Sequence, residues 1–206
     1  TSSLIGAALR LLTDSPENQA TLKTALGTLS RVLDAVDWGR ISKGGAEAWL
    51  YFYEDFLDVY DRDLRKQTGS YYTPPQVVGA MVRLVDDVLR SPRFGRAAGL
   101  ASPTVTVADP ATGTGTFVLG VLRAIAERVR ADEGPGAMKA AIEDAVRRIV
   151  AFELQLWPFA VAQLRILAEL VELTGSTPAT APRMFVTNTL GNPDDDEGWI
   201  PGILAP

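Results

Sequence analysis

Asp109-Pro110-Ala111-Thr112-Gly113-Thr114-Gly115-Thr116-Phe117 is the stretch on which the fold turns. Before it, Thr104-Val105-Thr106-Val107-Ala108 reads as a short strand; after it, residues 118–126 read as a helix. A carboxylate at a strand end, followed by closely spaced glycines that open a helix, is how an α/β sheet builds a nucleotide-type pocket. The glycines permit a tight turn and a close approach of backbone to ligand. No lysine follows in a G-K-[ST] pattern, so a phosphate-binding P-loop fits poorly.

Beyond the loop, the spacing predicts a helix over about 116–131 and a second over 136–149, with Met138, Ile142, Val146 and Ile149 inward. Ile149-Val150-Ala151-Phe152 reads as a short buried strand closed by Glu153. Pro158 is expected to open the next helix, with Val161, Leu164, Leu167, Ala168 and Val171 facing the core. Residues 183–187 read as a third strand ending at Asn188-Thr189-Leu190. Strands separated by helices indicate a parallel, doubly wound sheet. Upstream, Thr73 is a candidate N-cap and Pro74 a candidate first helical residue. The helix they open would turn Val77, Val78, Met81, Val82, Val85, Val88 and Leu89 inward. Residues 1–66 read as a separate helical subdomain, with an apolar stripe from Leu22 to Val36 and an aromatic one from Trp49 to Tyr60. The start at Thr1-Ser2-Ser3 and the turn-rich final residues 201–206 suggest a piece of a longer polypeptide.

The composition removes whole classes of chemistry. There is no cysteine and no histidine, so disulfides, thiolate nucleophiles, imidazole bases and the usual zinc ligands are excluded. No metal site is expected. No apolar run reaches the ~18 to 20 residues of a membrane span, which makes a cytoplasmic protein the default expectation. The formal net charge of -5 does not favour a domain devoted to gripping a nucleic-acid backbone.

In a sheet of this type ligands bind beyond the carboxyl ends of the strands. Asp109, Glu153 and Asn188 are the polar groups expected there. Asp109 can receive an ammonium or hydroxyl, while the N–H groups of the turn and the dipole of the following helix favour a carboxylate. Glu153 suits the hydroxyls of a ribose, although it follows Asp109 by 44 residues, longer than a dinucleotide fingerprint allows.

Gly69-Ser70-Tyr71-Tyr72-Thr73-Pro74-Pro75 together with the Asp109–Phe117 stretch closely resembles the N6-adenine (amino-group) DNA methyltransferases of restriction-modification and phage-defence systems. The resemblance runs from about 67 to 190. It implies a Rossmann-like methyltransferase sheet, truncated, over 67–206 and preceded by the helical subdomain of 1–66. The implied cofactor is S-adenosyl-L-methionine. Tyr72 and Thr73 would contact its methionine portion, while Asp109, Ala111, Thr112, Gly113 and Gly115 would cradle it. Glu153 would hold the ribose and Asn188 the adenine end. Asn188 stands where the family commonly has Asp; it keeps an acceptor and a donor but carries no charge.

The family's catalytic motif, Asn or Asp followed by Pro-Pro and an aromatic residue, does not occur in these 206 residues. Asn192-Pro193-Asp194 reads as a turn. No catalytic residue is therefore assigned, and the isolated chain is expected to be inactive. Double-stranded DNA would be engaged through regions mostly absent from it. Two other readings stand beside this one: a methyltransferase with a non-DNA substrate, and a non-enzymatic assembly scaffold. Oligomeric state is left open.

Overall fold

The computed structural model describes residues 73–191, apart from 178 and 181, together with positions 23 and 31. The helical subdomain expected over 1–66, Tyr72 and the Asn192-Pro193-Asp194 turn lie outside the described residues. Helix α1 (Pro75–Arg90) leads through a short 3-10 turn (Gly99–Ala101) to strand β1 (Val107–Asp109). Helix α2 (Thr116–Asp132), a second 3-10 turn (Pro135–Ala137) and helix α3 (Met138–Arg148) connect β1 to β2 (Ile149–Glu153). Helix α4 (Leu156–Thr174) then leads to β3 (Arg183–Val186).

The three strands are parallel, in the order β1-β2-β3. Val107, Asp109, Ile149, Ala151, Glu153, Met184 and Val186 share one face by register. Right-handed crossovers that always step the same way put their helices on one side of a sheet. The packing of α2, α3 and α4 on one another agrees with that geometry. The described strands thus supply one winding direction, where a doubly wound sheet would also reverse. On the helix-covered face Ile149, Ala151, Met184 and Val186 are buried. On the other, Phe152 and Phe185 stack with ring centroids 5.8 Å apart and stay half-buried.

Several boundaries and faces differ from the sequence reading. β1 starts at Val107, not Thr104. The preceding residues turn instead, with the Val105 N–H donating to the Ser102 carbonyl (3.0 Å) and the Val105 carbonyl accepting from Arg148 at the end of α3. Helix α1 begins at Pro75 with Pro74 as its N-cap, so Thr73 does not cap it. A proline suits the first turn because the amide it lacks has no helical partner there. The same tolerance lets α4 begin at Leu156, two residues before Pro158.

Of the residues assigned inward on α1, only Val78 and Val82 are buried, while Val77, Met81, Val85 and Val88 are exposed. α4 is rotated from its predicted face: Phe159, Ala162, Ile166 and Leu170 are buried, and Leu164 and Val171 are exposed. α4 is apolar on nearly all sides, so periodicity alone does not select its buried stripe. Glu169 lies within that buried stripe and is held by Arg123 of α2, with two hydrogen bonds of 2.8 and 2.7 Å. A carboxylate is tolerated there because it is paired and bidentate.

Asp86 fixes α1 to its surroundings. Its Oδ1 accepts from the buried Leu100 N–H (2.8 Å), and its Oδ2 meets Arg128 of α2 and Arg90, each at 3.2 Å. Asp86→Ala strands a buried N–H group and is expected to cost about 1–3 kcal/mol of unfolding free energy, read from urea denaturation.

Candidate functional site

The site is built by the two turns that leave β1 and β3 and by the carboxyl end of β2 between them. Thr112 donates its N–H to the Phe152 carbonyl (2.8 Å), so the β1–β2 ladder continues into the loop. Its hydroxyl donates to the Asp109 carbonyl (3.2 Å), and the side chain is buried. Gly113 and Gly115 both have positive φ, +56° and +86°. At Gly115 the requirement is twofold. A left-handed backbone disfavours any Cβ, and one built there would sit 3.3 Å from the Ala162 Cβ and 3.4 Å from Ile166 Cδ1 of α4. Gly115 is also the N-cap of α2, so no side chain caps the helix's first amides. Those N–H groups stay available to an anion, on the positive end of the helix dipole.

Glu153 is buried, and both its oxygens are engaged by backbone. Oε2 accepts from the Gly113 N–H and Oε1 from the Gln155 N–H, each at 2.8 Å. Its own carbonyl accepts from the Thr187 N–H (2.9 Å), which carries the β3 exit onto the same strand end. Each carboxylate oxygen keeps a second lone pair, so a ligand hydroxyl can still be accepted at the rim. The role expected of Glu153 thus gains a structural half: the side chain shapes the loop.

Asp109 differs. Its Oδ1 accepts from the Ala111 N–H (3.2 Å), whereas Oδ2 is buried with no hydrogen-bond partner. Burial pushes the carboxyl above the ordinary carboxylate range; the Ala111 N–H opposes that shift and the nearby negative Glu153 adds to it. A buried acceptor without a donor is costly and is the kind of group that a ligand donor satisfies.

Asp109, Thr112, Gly113, Gly115 and Glu153 therefore converge through the loop, with the exposed Ala111 at its rim. Asn188 is engaged locally: its Oδ1 accepts from the Leu190 N–H (3.0 Å) in a turn beyond β3. Thr73 is half-buried just ahead of α1. Two residues that the sequence did not single out join the site. Thr189 donates its hydroxyl to the Pro110 carbonyl (2.9 Å), tying the β3 exit to the β1 exit across β2. Arg165 of α4 reaches Thr114 and Thr116. Neither belongs to a spacing pattern, and only the fold brings them to the loop.

A separate open trough of about 440 Å³ runs beside β1, lined by Met81, Val85, Leu89, Val107, Phe117 and Val121 among others. Asp109 and Pro110 also line it. Its walls are overwhelmingly apolar and follow the strand's length, so it does not suit a charged, multiply hydrogen-bonded ligand.

Two outcomes follow from these geometries. Glu153→Gln puts an amide NH2 against a backbone N–H. It should cost about 1–3 kcal/mol and loosen the Gly113 amide, as read by urea denaturation and hydrogen exchange. Asp109 behaves oppositely. Folding raises its pKa, so the folded state holds the proton more tightly than the unfolded chain. Its contribution to stability therefore falls as pH rises from the ordinary carboxylate value through the raised one. Asp109→Asn should melt higher than the wild type near neutral pH, and the gap should shrink in melts at about pH 4.

The chain resembles several solved structures. It is 24% identical to the DrdV–DNA complex determined by cryoEM, with a TM-score of 0.61 over 85% of this chain and 16% of that one. This likeness speaks to the fold. It is 31% identical to a nuclease-deletion mutant of the Type ISP restriction-modification enzyme LlaGI in complex with a DNA substrate mimic, with a TM-score of 0.53 over 66% of this chain and 11% of that one. It is 28% identical to the ATP-dependent Type ISP restriction-modification enzyme LlaBIII bound to DNA, with a TM-score of 0.56 over 68% of this chain and 9% of that one. The chain thus spans less than a fifth of the length of each of these proteins. No curated protein sequence matches it significantly. The N-6 DNA methylase family model matches residues 50–157, just over half of the chain, and contains the whole loop from Asp109 to Thr116 together with Glu153. The chain belongs to the N-6 DNA methylase family.

Proposed function

We propose that this chain is the S-adenosyl-L-methionine-binding portion of an adenine-N6 DNA methyltransferase of a restriction-modification or phage-defence system, acting on double-stranded DNA in the cytoplasm. The observation that carries the reading is the buried, donor-less Oδ2 of Asp109 beside a helix start with no side-chain cap. Together they offer an acceptor for an ammonium and a set of N–H groups for a carboxylate, the two charged ends of an amino acid. Family membership and the restriction-modification neighbours support the same reading.

In this reading Asp109 receives the amino group of the methionine portion, and Ala111, Thr112, Gly113 and Gly115 form the backbone cradle. The rim of Glu153 accepts the ribose hydroxyls, Tyr72 and Thr73 contact the methionine portion, and Asn188 holds the adenine end. The bound cofactor supplies a sulfonium-activated methyl group. The residues of this chain bind and orient it, and the resulting catalysis is one of positioning and electrostatics. The group that polarises adenine N6 belongs to a motif not found in these 206 residues, so the isolated chain binds without turning over.

Calorimetric titration with S-adenosylmethionine and S-adenosylhomocysteine, alongside Asp109→Ala, tests the reading. Saturable binding by the wild type that disappears in the variant is expected. A folded chain that binds neither ligand overturns it.

A further inference from the structure

Arg165 reaches the glycine loop from α4, across 51 residues of sequence. Its Nη1 donates to the Thr114 carbonyl at 2.6 Å and meets the hydroxyls of Thr114 at 3.1 Å and Thr116 at 3.4 Å. Helix electrostatics do not account for this placement. A cation at the N-terminal end of α2 opposes the helix dipole, which favours negative charge there. What the arginine gains is the carbonyl between the two positive-φ glycines, a charge-assisted bond that a neutral side chain cannot match.

That carbonyl is one end of a rigid peptide unit. The other end, the Gly115 N–H, donates to the Thr112 carbonyl at 2.9 Å. A planar peptide held at both ends cannot flip without losing both bonds. The same surface of α4 lies close to the unit, since a Cβ at Gly115 would come within 3.3 Å of Ala162 and 3.4 Å of Ile166. A loop held in its binding conformation before the ligand arrives loses less freedom on binding.

We propose that Arg165 is a positioning residue of the cofactor loop, acting beside Glu153. By holding the Thr114 carbonyl it fixes the peptide orientation that the loop presents to S-adenosylmethionine. The role rests on the cofactor reading above. It predicts an effect on ligand affinity that is separable from the general packing of α4.

The experiment titrates the full chain with S-adenosylhomocysteine as wild type, Arg165→Met, Arg165→Lys and Arg123→Met, with hydrogen exchange of the 112–116 amides measured without ligand. Arg123→Met removes a partner of buried Glu169 on the same helix pair, at a residue outside the glycine loop. Arg165→Met should weaken binding about 10- to 100-fold and speed loop exchange, with Arg165→Lys in between. Arg123→Met should lower the melting temperature without a comparable loss of affinity. Wild-type binding retained within about twofold by folded Arg165→Met overturns the proposal, as does an equal loss of affinity in Arg123→Met. Should Arg165→Met not fold, Arg165→Lys decides: weaker binding with faster loop exchange supports the role, and wild-type binding overturns it. A folded wild type that does not bind S-adenosylhomocysteine defeats the cofactor reading itself, and the cofactor role of Arg165 with it.

Discussion

One buried carboxylate, with two backbone N–H groups on its oxygens, organises the carboxyl edge of this sheet. Glu153 receives Gly113 from the loop after β1 and Gln155 from the start of α4, while its carbonyl receives Thr187 from the exit of β3. Every segment that leaves the described strands near the site is therefore tied to a single residue at the end of the central strand. Charge-assisted bonds to backbone amides in a poorly solvated place are stronger than neutral ones, and losing one strands a buried donor. The loop's shape follows from that anchoring. So does the division of labour between the two acids. Glu153 is largely spent on structure, and Asp109 keeps an oxygen without a donor.

This division has an energetic consequence. The Asp109 carboxyl is pushed upward by burial and by the charge of Glu153, so its ionised form stabilises the fold less than its protonated form does. Sites that hold charged ligands commonly carry such a burden, because the ligand's own charge relieves it. The ammonium proposed to sit against Oδ2 would do so here.

α4 forms the second constraint. The Ala162–Ile166 surface lies where a Cβ at Gly115 would crowd it, Arg165 holds Thr114, and Glu169 pairs with Arg123 of α2. One helix thus supports the glycine turn sterically and electrostatically and locks to the helix that the turn opens. Away from this edge, much of the apolar face of α1 is exposed and an open trough lies beside β1. The chain also spans only a small part of the restriction-modification enzymes it resembles.

Much of this was legible from residue order. The Asp109–Phe117 stretch identifies a strand, a turn and a helix start because glycine and proline impose local backbone rules that tertiary structure does not override. The β2 strand and the inward set Met138, Ile142 and Val146 were also readable, since each forms a single unambiguous apolar pattern. Residue order alone sets the parallel α/β class and the place of Asp109 and Glu153 at strand ends. Tertiary structure alone decided which face of α4 is buried, because a helix apolar on most sides has no preferred stripe until its neighbours choose one. It alone left much of α1's apolar face exposed, gave the Glu153 oxygens to backbone amides, and carried Arg165 and Thr189 to the loop. Contacts made across 40, 51 and 79 residues leave no periodic trace, because the distance that matters to them is set by the sheet and not by the chain.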